Sequence, residues 1–320
     1  MAMSKSVLLV GCGQIGSRHL QGLALSAYDL KVVVVDSNET SLVTASNRWD
    51  EIERGIRSRH SVQFKEKLDF SSDKFDLAIV ATSSRGRSKL VRSIRQATDV
   101  NYWILEKILE VDVSGLRSLK TEFNGYDGVW VHTPRRAMPQ YKQLREKYFA
   151  NGEAFDTTVS GGNWGLACNS IHFLDLICWL QDTDIDTICA KPASRWISSK
   201  RPGYFELIGM LDVQLSNGRK IVLSSTENQD DISIHMSNES CTLDISENDG
   251  CISVNSHEGA FDKIIPASQF TGLLVDEIIT NRVSSLPKFS DSLTQHEVLL
   301  EALQISWDEQ TEISGNMFIT

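Results

Sequence analysis

Short apolar runs rich in β-branched residues alternate with helical stretches through the first hundred residues. Each run is almost continuously apolar, which is typical of strands covered on both faces by helices, whereas a half-exposed strand would alternate. The runs lie at residues 7–10, 32–35, 62–64, 77–81 and 102–105. Their alternation with helices predicts βαβ units and a parallel sheet.

The pattern changes after a sixth apolar run at residues 128–131. From about Phe155 onward polar and apolar residues alternate, most clearly at 206–215, which predicts an antiparallel sheet with one solvated face. Turn sequences at 216–219 and 248–250 predict two hairpins. Apolar residues at three- and four-residue spacing predict helices at 170–180, 270–282 and 292–307.

The length of 320 residues exceeds what one hydrophobic core usually supports. The change of pattern places the expected boundary after residue 131. We therefore predict an N-terminal domain at 1–131 and a C-terminal domain at 132–320.

Composition narrows the class of protein. The net charge is -10, with 42 acidic and 32 basic side chains, which disfavours nucleic acid as a partner. The six cysteines form no CxxC pair, so they are interpreted as reduced thiols. The seven histidines show no HExxH or other metal-ligand spacing. We therefore expect no metal and no metal-dependent hydrolase.

Targeting features are absent from the sequence pattern. No apolar run approaches the ~18 residues that span a bilayer. A strand-like run begins at Val7, which leaves no room for a signal peptide. The expectation is a cytoplasmic protein with no membrane partner.

A glycine-rich turn, GCGQIG at residues 11–16, directly follows the first predicted strand and precedes a helical stretch at 17–25. Such a turn lets a diphosphate approach the bare amides of a helix tip. Gly11 suits the tight turn, Gly13 the close approach of the phosphates and Gly16 the helix packing. The three glycines, with Gln14 and Ile15 between Gly13 and Gly16, predict a dinucleotide site. The alternative is a glycine-rich turn that binds no ligand.

Asp36 ends the second predicted strand, 20 residues after Gly16. A carboxylate there accepts hydrogen bonds from the adenosine ribose and repels a 2′-phosphate. The turn and this acidic residue together predict a Rossmann domain, a doubly wound parallel sheet, that binds NAD in preference to NADP.

The sequence resembles the Gfo/Idh/MocA family of sugar and polyol oxidoreductases. The likeness rests on the 11–16 turn, Asp36, Ile79-Val80-Ala81-Thr82, Glu106-Lys107 and Asn169-Ser170-Ile171-His172. It implies an α/β fold whose C-terminal α+β domain carries an open, mainly antiparallel sheet. It also implies Thr82 at the cofactor and a homo-oligomer, dimer or tetramer, through that sheet.

The resemblance makes Lys107 a catalytic candidate, because the family's Glu-Lys-Pro motif places its lysine at the substrate hydroxyl. An ammonium there would lower the pKa of the hydroxyl, and Glu106 could orient the lysine or contact the cofactor. This chain has Ile108 where the family has proline, which commonly takes a cis bond. The alternative for Glu106 and Lys107 is a surface ion pair.

His172 is the second catalytic candidate. The family places an aspartate four residues before this histidine, but here that position is Cys168, followed by Asn169. An imidazole exchanges protons near neutral pH, whereas an amide does not. Cys168 and Asn169 are therefore predicted only as substrate contacts. The alternative is that His172 is a packing residue of an apolar helix.

Several other side chains are candidates for an acidic sugar substrate. Arg135 and Arg136 follow the sixth strand, where the family forms its active-site cleft, and guanidinium groups match carboxylate or phosphate. Arg87 stands where the family has a histidine and is predicted near the cofactor. Trp164 is placed to stack on a sugar ring. The alternatives are ion pairs between domains for Arg135 and Arg136, and ordinary core packing for Trp164.

These features predict an NAD(P)-dependent oxidoreductase, with NAD as the preferred cofactor. It would transfer hydride to or from a hydroxyl or keto carbon of a sugar, sugar acid or nucleotide-linked sugar. The resemblance points to family members of surface-sugar or nonulosonate biosynthesis. The alternative is a catalytically weakened dinucleotide-binding protein with a sensing or accessory role, suggested by Cys168 and Ile108.

Overall fold

The computed structural model describes residues 4–69, 74–310 and 317–319. The chain divides into two compact units. Unit 1 comprises residues 1–110, 117–132 and 265–289, and unit 2 comprises residues 111–116, 133–264 and 290–320. The change of unit after residue 132 lies close to the expected boundary, but a segment late in the chain belongs to unit 1.

Unit 1 contains the predicted alternation of strands and helices. Its strands are β1 (Lys5–Val10), β2 (Leu30–Val35), β3 (Ser61–Lys65), β4 (Lys74–Val80), β5 (Asp99–Leu105) and β6 (Val129–Val131). Its helices are α1 (Gln14–Leu23), α2 (Glu39–Asp50), α3 (Arg54–Arg57), α4 (Arg87–Ala97) and α8 (Ala267–Asn281). Helix α5 (Val113–Glu122) begins in residues of unit 2 and ends in unit 1.

The six strands of unit 1 form one parallel sheet in the order β3-β2-β1-β4-β5-β6. Strand β1 pairs with both β2 and β4. The strands β2 and β3 therefore lie on one side of β1, and β4, β5 and β6 lie on the other, so the strand order reverses at β1. In a doubly wound sheet, ligands bind outside the carboxyl ends of the strands at this reversal. The prediction of a Rossmann sheet is confirmed, and the glycine turn follows β1 at that position.

Helix α8 packs on α1 within unit 1, through two glycines. A Cβ atom added to Gly22 would lie 2.5 Å from the carbonyl oxygen of Ala267. A Cβ atom added to Gly272 would lie 2.6 Å from the carbonyl oxygen of Gly22. The missing side chains therefore allow two helix backbones to approach closely, although about 250 residues of chain separate them.

Unit 2 is built on a large sheet and four helical segments. The strands are β7 (Asp156–Gly162), β8 (Ile185–Ala190), β9 (Arg195–Ser198), β10 (Phe205–Leu215), β11 (Lys220–Thr226), β12 (Ser233–Ser237), β13 (Thr242–Ser246), β14 (Cys251–Val254) and β15 (His257–Ala260). The helical segments are a 3₁₀ turn (Pro134–Ala137), α6 (Pro139–Tyr148), α7 (Leu166–Gln181) and α9 (Phe289–Gln310), which begins at the last residue of unit 1.

The sheet of unit 2 runs β15-β14-β13-β12-β7-β11-β10-β8, with β9 paired to β10. Its strand pairs are antiparallel except for β7 with β11. Both predicted hairpins are present, β10–β11 around Gly218 and β13–β14 around Gly250, and each glycine has a positive φ. The prediction of a mainly antiparallel second sheet is confirmed.

Among the described residues, no helix is both long and apolar enough to cross a bilayer.

Candidate functional site

The glycine turn between β1 and α1 has the close backbone packing that its sequence predicts. Gly11 has a φ of +85°, and a Cβ atom there would lie 2.8 Å from the backbone of Ala81 and Thr82. A Cβ atom on Gly16 would lie 1.9 Å from the carbonyl oxygen of Gly11. Only glycine fits either position without displacing backbone.

The tip of α1 is open toward solvent. A Cβ atom on Gly13 would meet nothing within 4 Å, and no side chain caps the helix there. The first turn carries no acidic residue, and Ile15 beside it is 52% exposed. The first amides of a helix lack intrahelical partners and attract anions. The tip therefore offers free N–H groups and apolar surface, together with the exposed Gln14.

Asp36 faces the glycine turn. Its Oδ2 accepts a hydrogen bond of 2.8 Å from the backbone N–H of Cys12, and its Oδ1 accepts one of 2.9 Å from the N–H of Asn38. Asp36 is half-buried, so part of its surface remains exposed to solvent. Burial, with the Asp36 charge, raises the pKa of the Cys12 thiol to about 12, so this cysteine stays protonated.

Arg48 is a residue of this region that the sequence analysis missed. It lies on α2 and its guanidinium donates to the carbonyl oxygen of Gln14 at 3.1 Å and to the Gln14 Oε1 at 2.6 Å. It also donates to the hydroxyl of Ser17. No sequence spacing indicates this contact, because it depends on how α2 packs beside α1.

Thr82 and Arg87 follow β4, and the structure separates their roles. The Thr82 Oγ1 is buried and makes no hydrogen bond to the described residues, which fits a group that contacts a ligand. Arg87 is 1% exposed and donates to the carbonyl oxygens of Thr82, Glu106, Ile108 and Leu109. The Arg87 guanidinium is thus hydrogen-bonded inside unit 1, and its assignment as a cofactor contact stays a prediction.

Glu106 is likewise hydrogen-bonded inside unit 1. Its Oε1 lies 2.8 Å from His19 Nε2 and 2.6 Å from His132 Nδ1. Burial alone would raise the pKa of Glu106, but His132 and His19 hold that pKa well below its ordinary value. Glu106 is 7% exposed and faces two imidazoles, so it is a buried residue, and its contact with the cofactor stays a prediction.

Lys107 is half-buried and follows β5 at the carboxyl edge of the parallel sheet. The Lys107–Ile108 peptide bond is cis, the isomer that the proline of the related motif commonly adopts. Lys107 therefore lies just beyond the carboxyl end of β5, the position that its predicted catalytic role requires.

In unit 2 the candidate residues gather at the start of α7. Gly165 precedes the helix in a left-handed conformation, and the buried Glu206 carboxylate accepts hydrogen bonds from the N–H groups of Ala167 and Leu207. Glu206 thereby occupies the positive end of the helix. His172 lies further along α7 and is half-buried.

A cavity of about 390 Å³ lies beside this helix start, wholly within unit 2. Its lining includes the three predicted substrate residues Trp164, Cys168 and Asn169. Lys200 and Arg201, which the sequence analysis did not single out, also line it. Trp164 is 8% exposed, and its Nε1 donates to the carbonyl oxygen of Ser224, so it packs as core on one side and faces the cavity on the other.

Arg135 and Arg136 both donate hydrogen bonds to carboxylates of unit 2. Arg135 donates to both oxygens of Glu247 at 2.8 Å, and the hydroxyl of Tyr141 donates to the same carboxylate. Arg136 donates to Asp175 at 3.1 Å. Buried carboxylates of unit 2 thus pair with both cations, and substrate binding by Arg135 and Arg136 stays a prediction.

Asp175 completes this buried network on α7. It accepts hydrogen bonds from Arg136 and from the Thr133 hydroxyl, the latter at 2.9 Å. Burial raises its pKa to about 6, against the opposing effect of Arg136. Asp175 therefore connects α7 to residues 133–136 within unit 2.

No protein-family model matches the sequence, and no curated protein matches it. Among solved structures, the chain is similar to scyllo-inositol dehydrogenase from Lactobacillus casei, solved with NAD(H) and scyllo-inositol. That match has 14% identity, covers 96% of this chain and 98% of the other, and has a TM-score of 0.68.

Two further solved structures extend the comparison. Biliverdin reductase from Synechocystis, in complex with biliverdin and NADP+, is 14% identical over 93% of this chain and 98% of the other, with a TM-score of 0.69. UDP-N-acetylglucosamine 3-dehydrogenase from Acidithiobacillus ferrooxidans is 15% identical over 95% and 97%, with a TM-score of 0.65. The chain therefore has the fold that these oxidoreductases share, which is the fold expected from its resemblance to the Gfo/Idh/MocA family.

Proposed function

We propose that the chain is a Gfo/Idh/MocA oxidoreductase that uses NAD to transfer hydride to or from a hydroxyl or keto carbon of a sugar derivative. The observation that carries the proposal is the open tip of α1, where Gly13 leaves space and the amides lack a capping side chain. The Asp36 carboxylate beside it selects a free 2′-hydroxyl over a phosphate.

The residues present fit a dinucleotide. A diphosphate would bind the N–H groups of the 13–16 segment, the adenosine ribose would bind Asp36, and the buried Thr82 hydroxyl has hydrogen-bonding capacity left for the cofactor. Bound nicotinamide supplies the hydride acceptor or donor. The solved neighbours that contain NAD(H) or NADP+ support a nicotinamide cofactor here.

Lys107 and His172 have separate tasks in the proposed reaction. In the oxidative direction the C–H bond of the substrate breaks as hydride leaves, and the hydroxyl proton must also leave. The Lys107 ammonium stabilises the negative charge that develops on that oxygen. His172 accepts the proton and returns it in the reverse direction. Cys168 and Asn169 contact the substrate without exchanging the proton.

The substrate class is a sugar, sugar acid or nucleotide-linked sugar. The cavity beside α7 supports this class, because Asn169 lines it with Trp164 and the basic residues Lys200 and Arg201. Neighbours whose names give an inositol or a UDP-sugar substrate point in the same direction. We also propose a cytoplasmic homo-oligomer formed through the sheet of unit 2, which light scattering of the purified protein would test.

The decisive experiment combines calorimetry and turnover. NAD and NADP are titrated into the pure protein, and nicotinamide absorbance is then followed with inositols, sugar acids and nucleotide sugars. We expect NAD to bind more tightly than NADP. We also expect Lys107→Ala and His172→Ala each to lower kcat by roughly 10²- to 10⁴-fold, whereas the exposed-site control Lys31→Ala leaves it unchanged.

Three outcomes separate the alternatives. Absence of binding by either dinucleotide overturns the whole proposal. Tight NAD binding without turnover on the complete panel assigns the protein to a sensing or accessory role. Turnover that survives both substitutions shows that other residues perform the chemistry.

A further inference from the structure

Three side chains from distant parts of the sequence meet inside unit 1. His19 comes from α1, Glu106 follows β5 and His132 follows β6. One ligand atom from each lies within 4.8 Å of the other two, and all three residues are buried. No spacing rule would find this group, because the chain segments between its members are long.

Hydrogen bonding of Thr271 fixes the state of the His19 ring. The Thr271 Oγ1 donates its single hydrogen to the carbonyl oxygen of Ala267 at 2.8 Å. It lies 2.8 Å from His19 Nδ1, so it accepts from an N–H at that nitrogen. A neutral imidazole has only one N–H. His19 Nε2 therefore directs a lone pair toward Glu106.

The group opposite this nitrogen is the buried carboxyl of Glu106. A lone pair thus faces a carboxylate oxygen at 2.8 Å in a site removed from water. Such a contact is unfavourable unless the two groups share a positive ion, either a proton or a metal ion that binds both.

His132 supplies an independent second observation. Its Nδ1 faces Glu106 at 2.6 Å, while its Nε2 is buried and has no hydrogen-bond partner among the described residues. The residue is only 5% exposed. Outside the cluster, no described group therefore makes a hydrogen bond to Nε2 of this ring, and Nδ1 faces the cluster, where it can serve as a ligand.

We propose that His19, Glu106 and His132 bind one divalent transition metal ion of the zinc class. Two imidazole nitrogens and one carboxylate oxygen form a donor set that zinc accepts, with a fourth position left for water. Thr271 orients His19 through its other nitrogen, as groups behind a metal ligand commonly do. The ion would tie α1 to the ends of β5 and β6.

The first test uses the full chain freed of metal by chelation and then titrated with Co²⁺ and Zn²⁺. We expect one equivalent of Co²⁺ to produce the visible absorption of a four-coordinate site, and Zn²⁺ to displace it. Zn²⁺ at a hundredfold excess over its Kd should also raise the Tm, because an ion that binds only the folded state stabilises it.

Variants locate the ion. His132→Gln and Glu106→Gln should remove the Co²⁺ spectrum, and Thr271→Val should weaken metal binding by about 10- to 100-fold. His60→Gln is the matched control, since His60 lies in unit 1 outside the cluster, and it should bind metal like the parent chain. If the ligand variants fold poorly, the parent titration and Thr271→Val still decide the question.

Two results would overturn the proposal. The first is that metal addition changes neither the absorption spectrum nor the Tm, and that nitrogen NMR shows His19 protonated at both nitrogens. A proton would then occupy the place that the proposal assigns to the ion. The other is metal binding that survives both ligand substitutions. The same samples are also titrated with NAD. Neither overturning result depends on dinucleotide affinity, so failure of the metal proposal can be distinguished from failure of the proposed oxidoreductase function.

Discussion

The Asp36 carboxylate accepts a hydrogen bond of 2.8 Å from the backbone N–H of Cys12, which joins the end of β2 to the glycine turn after β1. The same carboxylate also accepts from the N–H of Asn38. Asp36 is thereby held beside the turn before any ligand arrives. A preorganised acceptor does not have to be ordered when the ribose binds.

Substitution of Asp36 tests this arrangement directly. Asp36→Ala should weaken NAD binding by roughly 10- to 100-fold, because hydrogen bonds to charged groups contribute about 1.5–3 kcal/mol. NADP binding should weaken less or improve, since the repulsion of its 2′-phosphate disappears. Calorimetric titration with both dinucleotides measures the change. Asp36→Asn is the control, since it removes the charge and retains an acceptor for Cys12.

Gly13 and Gly16 form a matched pair for separating binding from folding. Gly13→Ala should leave the Tm nearly unchanged, because its Cβ would meet nothing within 4 Å, yet lower dinucleotide affinity at least tenfold by obstructing the diphosphate. Gly16→Ala should destabilise the protein, because its Cβ would lie 1.9 Å from the Gly11 carbonyl oxygen. Thermal denaturation and NAD titration of both variants test the pair. Equal affinities of Gly13→Ala and the parent chain would contradict the assigned site.

Arg135 is expected to contribute to stability. Arg135→Met should reduce the free energy of unfolding by about 3–5 kcal/mol, because it leaves the buried Glu247 carboxylate without its bidentate partner. The double variant Arg135→Met with Glu247→Gln should recover part of that loss. Denaturant unfolding of the three proteins provides the measurement. An Arg135→Met protein of parental stability with a raised KM would instead support the substrate-anchor role.

Asp175 predicts a specific pH dependence. Its folded pKa of about 6 lies above the ordinary 3.8, so the folded state holds its proton more tightly than the unfolded state. The contribution of this group to stability is therefore full below pH 3.8 and is lost as pH rises through 6. The difference corresponds to about 3 kcal/mol at roughly 1.4 kcal/mol per pKa unit.

The measurement compares Asp175→Asn with the parent chain from pH 4 to pH 7. Relative to the variant, the parent should lose about 2 to 2.5 kcal/mol of unfolding free energy across this range, because part of the effect is already lost at pH 4. The Thr133 hydroxyl can still donate to the asparagine oxygen, which limits other effects of the substitution. A constant difference between the two proteins across the range would show that Asp175 titrates outside it.

Local pattern was sufficient for much of the fold. The strand ends, the GCGQIG turn and both hairpins depend on residue types within a few positions of each other, and the structure has them at or near the predicted places. The predicted strand at 102–105 likewise ends just before Lys107, which the family resemblance had singled out. Local pattern could not show that residues 265–289 return to unit 1, because that depends on packing at Gly22 and Gly272.

The roles of the charged side chains could not be obtained in the same way. Arg87, Arg135 and Arg136 look identical in sequence whether they face a ligand or a buried acceptor. Whether each arginine faces a ligand or a buried acceptor depends on the carbonyl groups and carboxylates that folding brings within hydrogen-bond distance of it. The same holds for His19 and His132, which meet only because α1, β5 and β6 end in the same region of unit 1.

The sequence by itself determined the parallel sheet, the glycine turn with Asp36 and the antiparallel second sheet, since periodicity and glycine content act over short stretches of chain. Only the tertiary structure decided which cations are neutralised, where the cavity beside α7 lies and that two histidines share Glu106. The physical reason is that hydrogen bonds and ion pairs depend on distances in space, and distant segments acquire those distances only on folding.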